Sequence, residues 1–325
     1  MNRLSAALVG LALAGASIFA TAASAQNWPN RPVRIINPYP GGGAADTLAR
    51  TLADHFTTVF GQPFIVEARG GAAGQLGVQY VANSEPDGYT FSITNASLLA
   101  LAPTVNPKLP YNPTRDLTNI AYVAGTPTVF AVNSKLGVKT LDDFLAHARK
   151  SAKPLTYSSS GLGTTGHLVA EAFAKKLKLK VEHVPYKGAQ QGLTDLAGGH
   201  IEFASQTLSS AAGLIQGGAL TAIVTASPKR LEDYPNLPTL AELGHADLSS
   251  TTWFALSGPA KLPDDMVQKI NREVAVAMAK PEVQQMMRNQ GFVTETMSVE
   301  EFNKFIATEA ARWKPVIEEA GLIQQ

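Results

Sequence analysis

Residues Leu155 to His167 read LTYSSSGLGTTGH, a short β-prone run that breaks into three serines and a glycine-rich turn before a helix begins. A helix N-terminus leaves its first amides without intrahelical partners and carries the positive end of the macrodipole. Gly161, Gly163, Thr164, Thr165 and Gly166 therefore present N–H donors to a negative group. The hydroxyls of Ser158, Ser159 and Ser160 add neutral donors beside them. Gly161-Leu162-Gly163-Thr164-Thr165-Gly166 also satisfies G-x-G-x-x-G, and Glu182 follows Gly161 by 21 positions, close to the roughly 20 expected of a ribose-binding acid. Two readings start from this loop: a dinucleotide enzyme and a receptor for a small anion.

The N-terminus helps to separate them. Arg3 is the only charge before Arg31, an apolar run from Leu4 to Ala20 follows it, and Ala23-Ser24-Ala25 is an A-x-A cleavage site. This is the pattern of a secretory signal peptide cut after Ala25, and the run is too short and too rich in Ala and Gly for an anchor. The mature chain would start at Gln26 and balance 26 basic against 26 acidic side chains once Arg3 is gone. A neutral chain lacks the basic face that a nucleic-acid partner needs. The absence of cysteine excludes disulfides, a lipid-attached cysteine and iron–sulfur ligation, so a freely diffusing periplasmic protein is expected. With 45% hydrophobic and 16% charged residues the chain is globular, and at this length it divides into two domains.

Along the mature chain, strands alternate with helices. Val33 to Asn37 is a strand running into Pro38 to Ala45, and a helix follows from Asp46 to Gly61. The plan repeats with strand Phe64 to Glu67, glycines at 70, 71 and 74, and helix Gln75 to Ala82. A third strand, Tyr89 to Thr94, ends in Asn95-Ala96-Ser97. This alternation predicts a parallel α/β sheet whose site loops lie at the carboxyl ends of the strands. Two β-prone segments, Ile120 to Ala124 and Val129 to Asn133, flank Gly125-Thr126-Pro127 as an interdomain crossing. A second α/β unit then runs from Thr140, which with Asp143 forms a capping box, to the strand Leu220 to Thr225. The return is expected near Ser250 to Trp253. The last helix, capped by Ser298 to Glu301, carries a stripe of Phe302, Ile306 and Trp313 expected to pack on the first lobe. The boundaries follow as a leader over 1–25, one lobe from 26–126 and 251–325, and a second from 127–250. Two α/β lobes with two crossings form a hinged clamshell.

Four ordered motifs carry a resemblance over essentially the whole mature chain: INPYPGGGAAD (Ile36 to Asp46), GGAAGQLG (Gly70 to Gly77), YSSSGLGTTGHL (Tyr157 to Leu168) and VPYKGAQQGLTDLAGGHIEF (Val184 to Phe203). The chain resembles the extracytoplasmic solute receptors of the Bug or TctC family. The resemblance implies a two-lobed periplasmic binding protein fold, type II-like, each lobe a mostly parallel sheet flanked by helices. It implies a monomeric receptor with no cofactor or metal, whose partner is a tripartite tricarboxylate transporter with a large and a small membrane subunit. The ligands it implies are small carboxylates, held partly through ordered waters. Carried over residue by residue, it points to Tyr39, Ala44 and Ala45 in the first loop, Gly74 in the second, and Asn95 and Ser97 in the third. From the second lobe it takes Ser158, Ser159, Ser160, Thr164, Thr165, Gly166, His167 and Tyr186. The chain departs from the family at Gly41, Ala45 and Gln206-Thr207. At the last of these an Asp-Asn pair is common, so Gln206 leaves a ligand ammonium without its acid.

Enzyme readings are weaker. An exported dehydrogenase would meet little nicotinamide cofactor, and serines before Gly161 do not match the apolar strand end that packs under a pyrophosphate. The chain has no G-x-S-x-G elbow, no Walker lysine motif and no H-E-x-x-H pair. His55, His147, His183, His200 and His245 are scattered along it. His167 one turn into a helix reads as a packing residue, and Lys187 as a solvated loop lysine.

Overall fold

The computed structural model describes residues 28–323, so the expected leader and its cleavage point after Ala25 lie outside the described residues. In the first lobe β1 (Val33–Asn37) is followed by α1 (Ala44–Phe60), β2 (Phe64–Ala68), α2 (Gln75–Ala82) and β3 (Thr90–Asn95). β1 lies between β2 and β3 and is parallel to both. Val33, Ile35 and Ile36 are all buried, as expected of a parallel strand covered on both faces. After β3 the chain turns through a π turn, Ser97–Leu101, into the short α3 (Ala102–Val105).

β4 (Leu117–Asn133) leads to the second lobe: α4 (Leu141–Lys150), β5 (Leu155–Ser159), α5 (Thr165–Leu177), β6 (Val181–Pro185), α6 (Ala189–Gly198), β7 (Phe203–Thr207), α7 (Leu208–Gln216) and β8 (Leu220–Thr225). Here β5 lies between β6 and β7, again in parallel. The central triplets β2-β1-β3 and β6-β5-β7 thus repeat one plan. The chain returns through β9 (Thr251–Pro259), antiparallel to β3 and β4, and ends in α8 (Asp264–Ala279), α9 (Pro281–Asn289) and α10 (Val299–Ala320). The architecture is the expected two-lobed α/β clamshell, and capping boxes start both α4 at Thr140 and α10 at Ser298.

Two findings differ from the sequence expectation. The crossing is one 17-residue strand instead of two segments. Its ladder with β9 ends at Pro127, opposite Thr251, and its ladder with β7 starts at Thr128, opposite Thr207. A proline has no N–H to donate, so it fits at the residue where the strand changes partners. Beyond it the alternation is strict. Phe130 and Val132 enter the core beneath α5, while Val129 and Ala131 enter the one beneath α6 and α7.

The second difference is in α10. Its buried residues, Phe302, Ile306, Glu309, Trp313 and Ile317, recur at helical spacing on one stripe. Phe302 and Ile306 join the first-lobe core, but Trp313 and Ile317 join the second, together with Leu101 and Val105. At roughly 1.5 Å per residue, a helix of 22 residues reaches past one lobe and covers the flank of the other.

Candidate functional site

The site is assembled from the loops after the strands. Behind β1, Asn37 accepts a hydrogen bond from the Tyr39 amide through Oδ1 (3.1 Å) and donates through Nδ2 to Asp46 Oδ1 (3.3 Å). Asp46 Oδ2 also accepts from the Gly42 amide (3.2 Å) and from Arg50 Nε (2.9 Å). Burial pushes the Asp46 carboxyl up, but the Arg50, Gly42 and Asn37 bonds outweigh it and leave it below the usual carboxylate range. A charged Asp46 therefore fastens the loop to α1. The Tyr39 ring rests over Gly74, where an added Cβ would lie 3.2 Å from Tyr39 Cζ. Burial pushes the Tyr39 hydroxyl up to about 12 against the opposing bond from Asn95 Nδ2 (3.0 Å). It stays protonated and keeps its own proton for a ligand acceptor.

In the second lobe the serines divide. Ser158 is wholly buried and its Oγ has no partner. Ser159 Oγ lies 2.7 Å from His183 Nε2 and donates to the Gly161 carbonyl (3.0 Å), pointing into the lobe. Ser160 donates to Gln206 Oε1 (2.7 Å), which leaves Gln206 Nε2 as a buried donor without a partner. His167 accepts the Gly163 amide at Nδ1 (3.2 Å) and packs against His183 with ring centroids 4.2 Å apart. Tyr186 donates to Asp195 Oδ2 (2.6 Å).

The motif glycines serve close approach. A Cβ on Gly161 would lie 3.1 Å from Ala73 Cβ across the cleft, and one on Gly163 would lie 2.7 Å from Val105 Cγ1, a residue packed into the second-lobe core. One on Gly166 would run into the Ser205 carbonyl of β7. Gly161 lets the lobes meet and Gly163 lets the turn close on its own lobe, and their amides donate to Ser159 Oγ (3.2 Å) and His167 Nδ1 (3.2 Å).

Between the lobes is a cavity of about 70 Å³. It brings together Tyr39, Ala44, Ala45, Asn95, Ser97, Ser160, Thr164, Thr165, Gly166 and Gln206 of the predicted set. Gly74, Ser158, Ser159, His167 and Tyr186 are not among its lining residues and support it from behind. Sequence reasoning missed Gly188 to Gln191, Thr207, Ser210, Thr252 and Phe254. Gly188-Ala189 repeats the strand, small residue, helix start pattern of Gly43-Ala44 and was legible on that ground. Thr252 and Phe254 come from the return strand and carried no local signal.

Among the described residues the lining holds no charged side chain. Its polarity comes from the N-termini of α1, α5, α6 and α7, whose N-cap residues Gly43, Thr164, Gly188 and Thr207 make no side-chain capping bond. Away from the cavity α4 and α10 are fully capped, whereas α8 and α9, starting after Pro263 and Lys280, have no side-chain cap. Four helix starts gathered around one cavity, none capped by its own N-cap side chain, create a positive site without a cation.

The sequence matches the model for the tripartite tricarboxylate transporter family receptor, TctC, over residues 48–322. It is 32% identical over 322 residues to protein BugT of Bordetella pertussis, covering 99% of this chain and 98% of BugT. The solved structure of R. palustris Rpa4515 with adipate has a TM-score of 0.87 at 31% identity, covering 90% of this chain and 98% of that one. MatC from Rhodopseudomonas palustris with bound malate has a TM-score of 0.84 at 26% identity, covering 89% of this chain and all of that one. The match runs through both lobes and every loop that builds the cavity except the first, and the alignment with BugT covers that loop as well. The chain belongs to the TctC family of tripartite tricarboxylate transporter receptors.

Proposed function

We propose that this receptor captures a small organic acid without a free amine, a dicarboxylate or an aromatic carboxylate, between its lobes. It delivers that acid to the large and small membrane subunits of its transporter. It works as a monomer in the periplasm after loss of residues 1–25, with 26–126 and 251–325 as one lobe and 127–250 as the other, apart from the far half of α10. The observation that carries the reading is the uncharged lining ringed by four helix N-termini whose own N-cap side chains make no capping bond. Such a ring selects for negative charge, and hydrogen bonds to a charged group contribute roughly 1.5–3 kcal/mol each. Four or five of them suffice for the roughly 8 kcal/mol of a micromolar complex after entropic costs.

An ammonium would find no carboxylate in the lining, and a buried unpaired charge is costly. The adipate and malate of the two R. palustris proteins are dicarboxylates of the proposed class. Receptor action without catalysis is supported by His167, whose Nδ1 already accepts the Gly163 amide and is not free to act as a base. Calorimetry on refolded protein tests the assignment with matched pairs, succinate against aspartate and adipate against glutamate, and with NAD as a third arm. Amine-free acids should bind at micromolar levels. Tighter binding of the amino acids, or submillimolar binding of NAD, would overturn it.

A further inference from the structure

The lobes are tied to each other by direct bonds that involve no ligand atom. The first amide of α1, at Ala44, donates across the cleft to Ser210 Oγ of the second lobe (3.2 Å). The first amide of α5, at Thr165, donates across the cleft to Ser97 Oγ of the first lobe (3.1 Å). These two bonds are related by the internal repeat. α1 and α5 follow β1 and β5, the middle strands of their triplets, while Ser97 and Ser210 follow β3 and β7, the equivalent neighbours in each lobe. Each lobe thus caps the leading helix of the other. A third tie, Gln190 Nε2 of α6 to the Gly42 carbonyl (2.7 Å), joins α6 to the loop before α1.

We propose that Ser97 and Ser210, with Gln190, are a reciprocal latch that holds the lobes together before ligand arrives. They therefore tune affinity through the open–closed equilibrium in addition to any contact they make with the ligand. The acceptors are built for the task. Ser210 Oγ is fixed from its own lobe by a 2.8 Å bond from Thr207 Oγ1, and Ser97 Oγ is buried and also lies 3.3 Å from Thr165 Oγ1. Both serines close orphan helix amides that only the opposite lobe can reach, so the bonds exist only when the cleft is shut. In the shut state they compete with a ligand for the first amides of α1 and α5; the Asp46 amide already donates to the Gly43 carbonyl (3.0 Å), which leaves the second amide of each helix, at Ala45 and Gly166, as the ligand's share. A latch of this kind raises the fraction of protein already competent to retain ligand, and apparent affinity scales with that fraction.

The inference rests on the clamshell reading but not on the identity of the ligand, so its test is run with no ligand added. The chain has no native cysteine, so Leu76→Cys on the first lobe and Lys187→Cys on the second take spin labels at unique, exposed sites. The full mature chain, denatured, dialysed and refolded to strip bound solute, is measured by pulsed dipolar spectroscopy. The wild type should show a short-distance population. In Ser97→Ala, and separately in Ser210→Ala, the open-to-closed ratio should rise about 2- to 13-fold, the range set by one net hydrogen bond. The pair together should shift it further. Gln190→Ala, at a partly exposed position that cannot unfold a core, should move the ratio in the same direction. Distance distributions identical to wild type in all these variants would overturn the latch, as would ligand-free wild type with no short-distance population. Either failure leaves the carboxylate assignment standing, because that is read from calorimetry alone.

Discussion

Acid should weaken this protein through one identifiable pair of histidines. His167 and His183 lie back to back beneath the turn that carries Thr164 to Gly166 into the cavity. Burial holds His167 down at about 4, and burial with the facing His167 charge holds His183 down at about 3. The ordinary value in the unfolded chain is about 6.5. Because both folded values are depressed, the unfolded chain takes up the protons first as pH falls. The stabilisation is complete above pH 6.5 and is lost on the way down toward the folded values, at up to about 1.4 kcal/mol per pH unit for each histidine. For His167 alone the loss between pH 6.5 and 5 is about 2 kcal/mol. His167→Asn isolates it, since Asn Oδ1 can stand where Nδ1 accepts the Gly163 amide but does not titrate in this range. Urea unfolding at half-unit steps across this window should give a wild-type curve that falls about 2 kcal/mol further than the variant's. The carboxylates contribute equally to both and cancel in the difference. Parallel curves, or a variant that loses more than wild type, would refute the burial argument and place water around the pair.

Three further outcomes are expected. Gln206→Glu sets a carboxylate beside the ligand's own, and at about 4 Å with an effective dielectric near 20 the repulsion of about 4 kcal/mol should cut dicarboxylate affinity by about a thousandfold in calorimetry; unchanged affinity would show that Gln206 faces away from the bound acid. Gly163→Ala forces a left-handed backbone and a Cβ against Val105 of the second-lobe core, so stability by denaturant midpoint and ligand affinity by calorimetry should both fall, whereas Gly137→Ala, left-handed but in open space, should cost only about 1 kcal/mol of stability. Removing the remote caps with Thr140→Ala or Ser298→Ala should lower stability by about 1 kcal/mol each and leave ligand affinity alone, which denaturant midpoints and calorimetry together would verify.

Much of the fold was written locally. The strand, small residue, helix sequence around Gly43 and around Thr164 marks both strand ends and helix starts. The boxes at Thr140 with Asp143 and Ser298 with Glu301 announce their helices by residue type alone. What stayed hidden depends on partners distant in sequence. Pro127 reads as a break because a proline ends a ladder, and only the change of partner from β9 to β7 lets one strand run through it. The stripe on α10 was visible, but nothing local says that Trp313 belongs to a different core from Phe302. Ser158, Ser159 and Ser160 looked equivalent, yet strand alternation and the His183 and Gln206 contacts send them to three environments.

The helix caps explain why the site was only half legible. An N-terminus without a side-chain cap gives up roughly 1 kcal/mol relative to one with Ser, Thr or Asp in place. Four such ends surround one cavity; an early amide in three of them is met from another element, Ala44 by Ser210, Thr165 by Ser97 and Ser209 by Thr126, and the amides that remain are what a ligand is offered. Two of the ends are readable, because Gly43 and Gly188 have no side chain with which to cap. The other two are not. Thr164 and Thr207 are competent caps by residue type, but the Thr164 hydroxyl donates back to the Gly161 carbonyl (2.8 Å) and that of Thr207 donates to Ser210 (2.8 Å). Both hydroxyls are spent holding the turn and the latch, and an early amide of each helix is met from another element instead, Thr165 N–H by Ser97 Oγ and Ser209 N–H by Thr126 Oγ1. Whether a threonine caps its helix or leaves it open to an anion is decided by what its own hydroxyl can reach, a property of the closed clamshell and not of the residue.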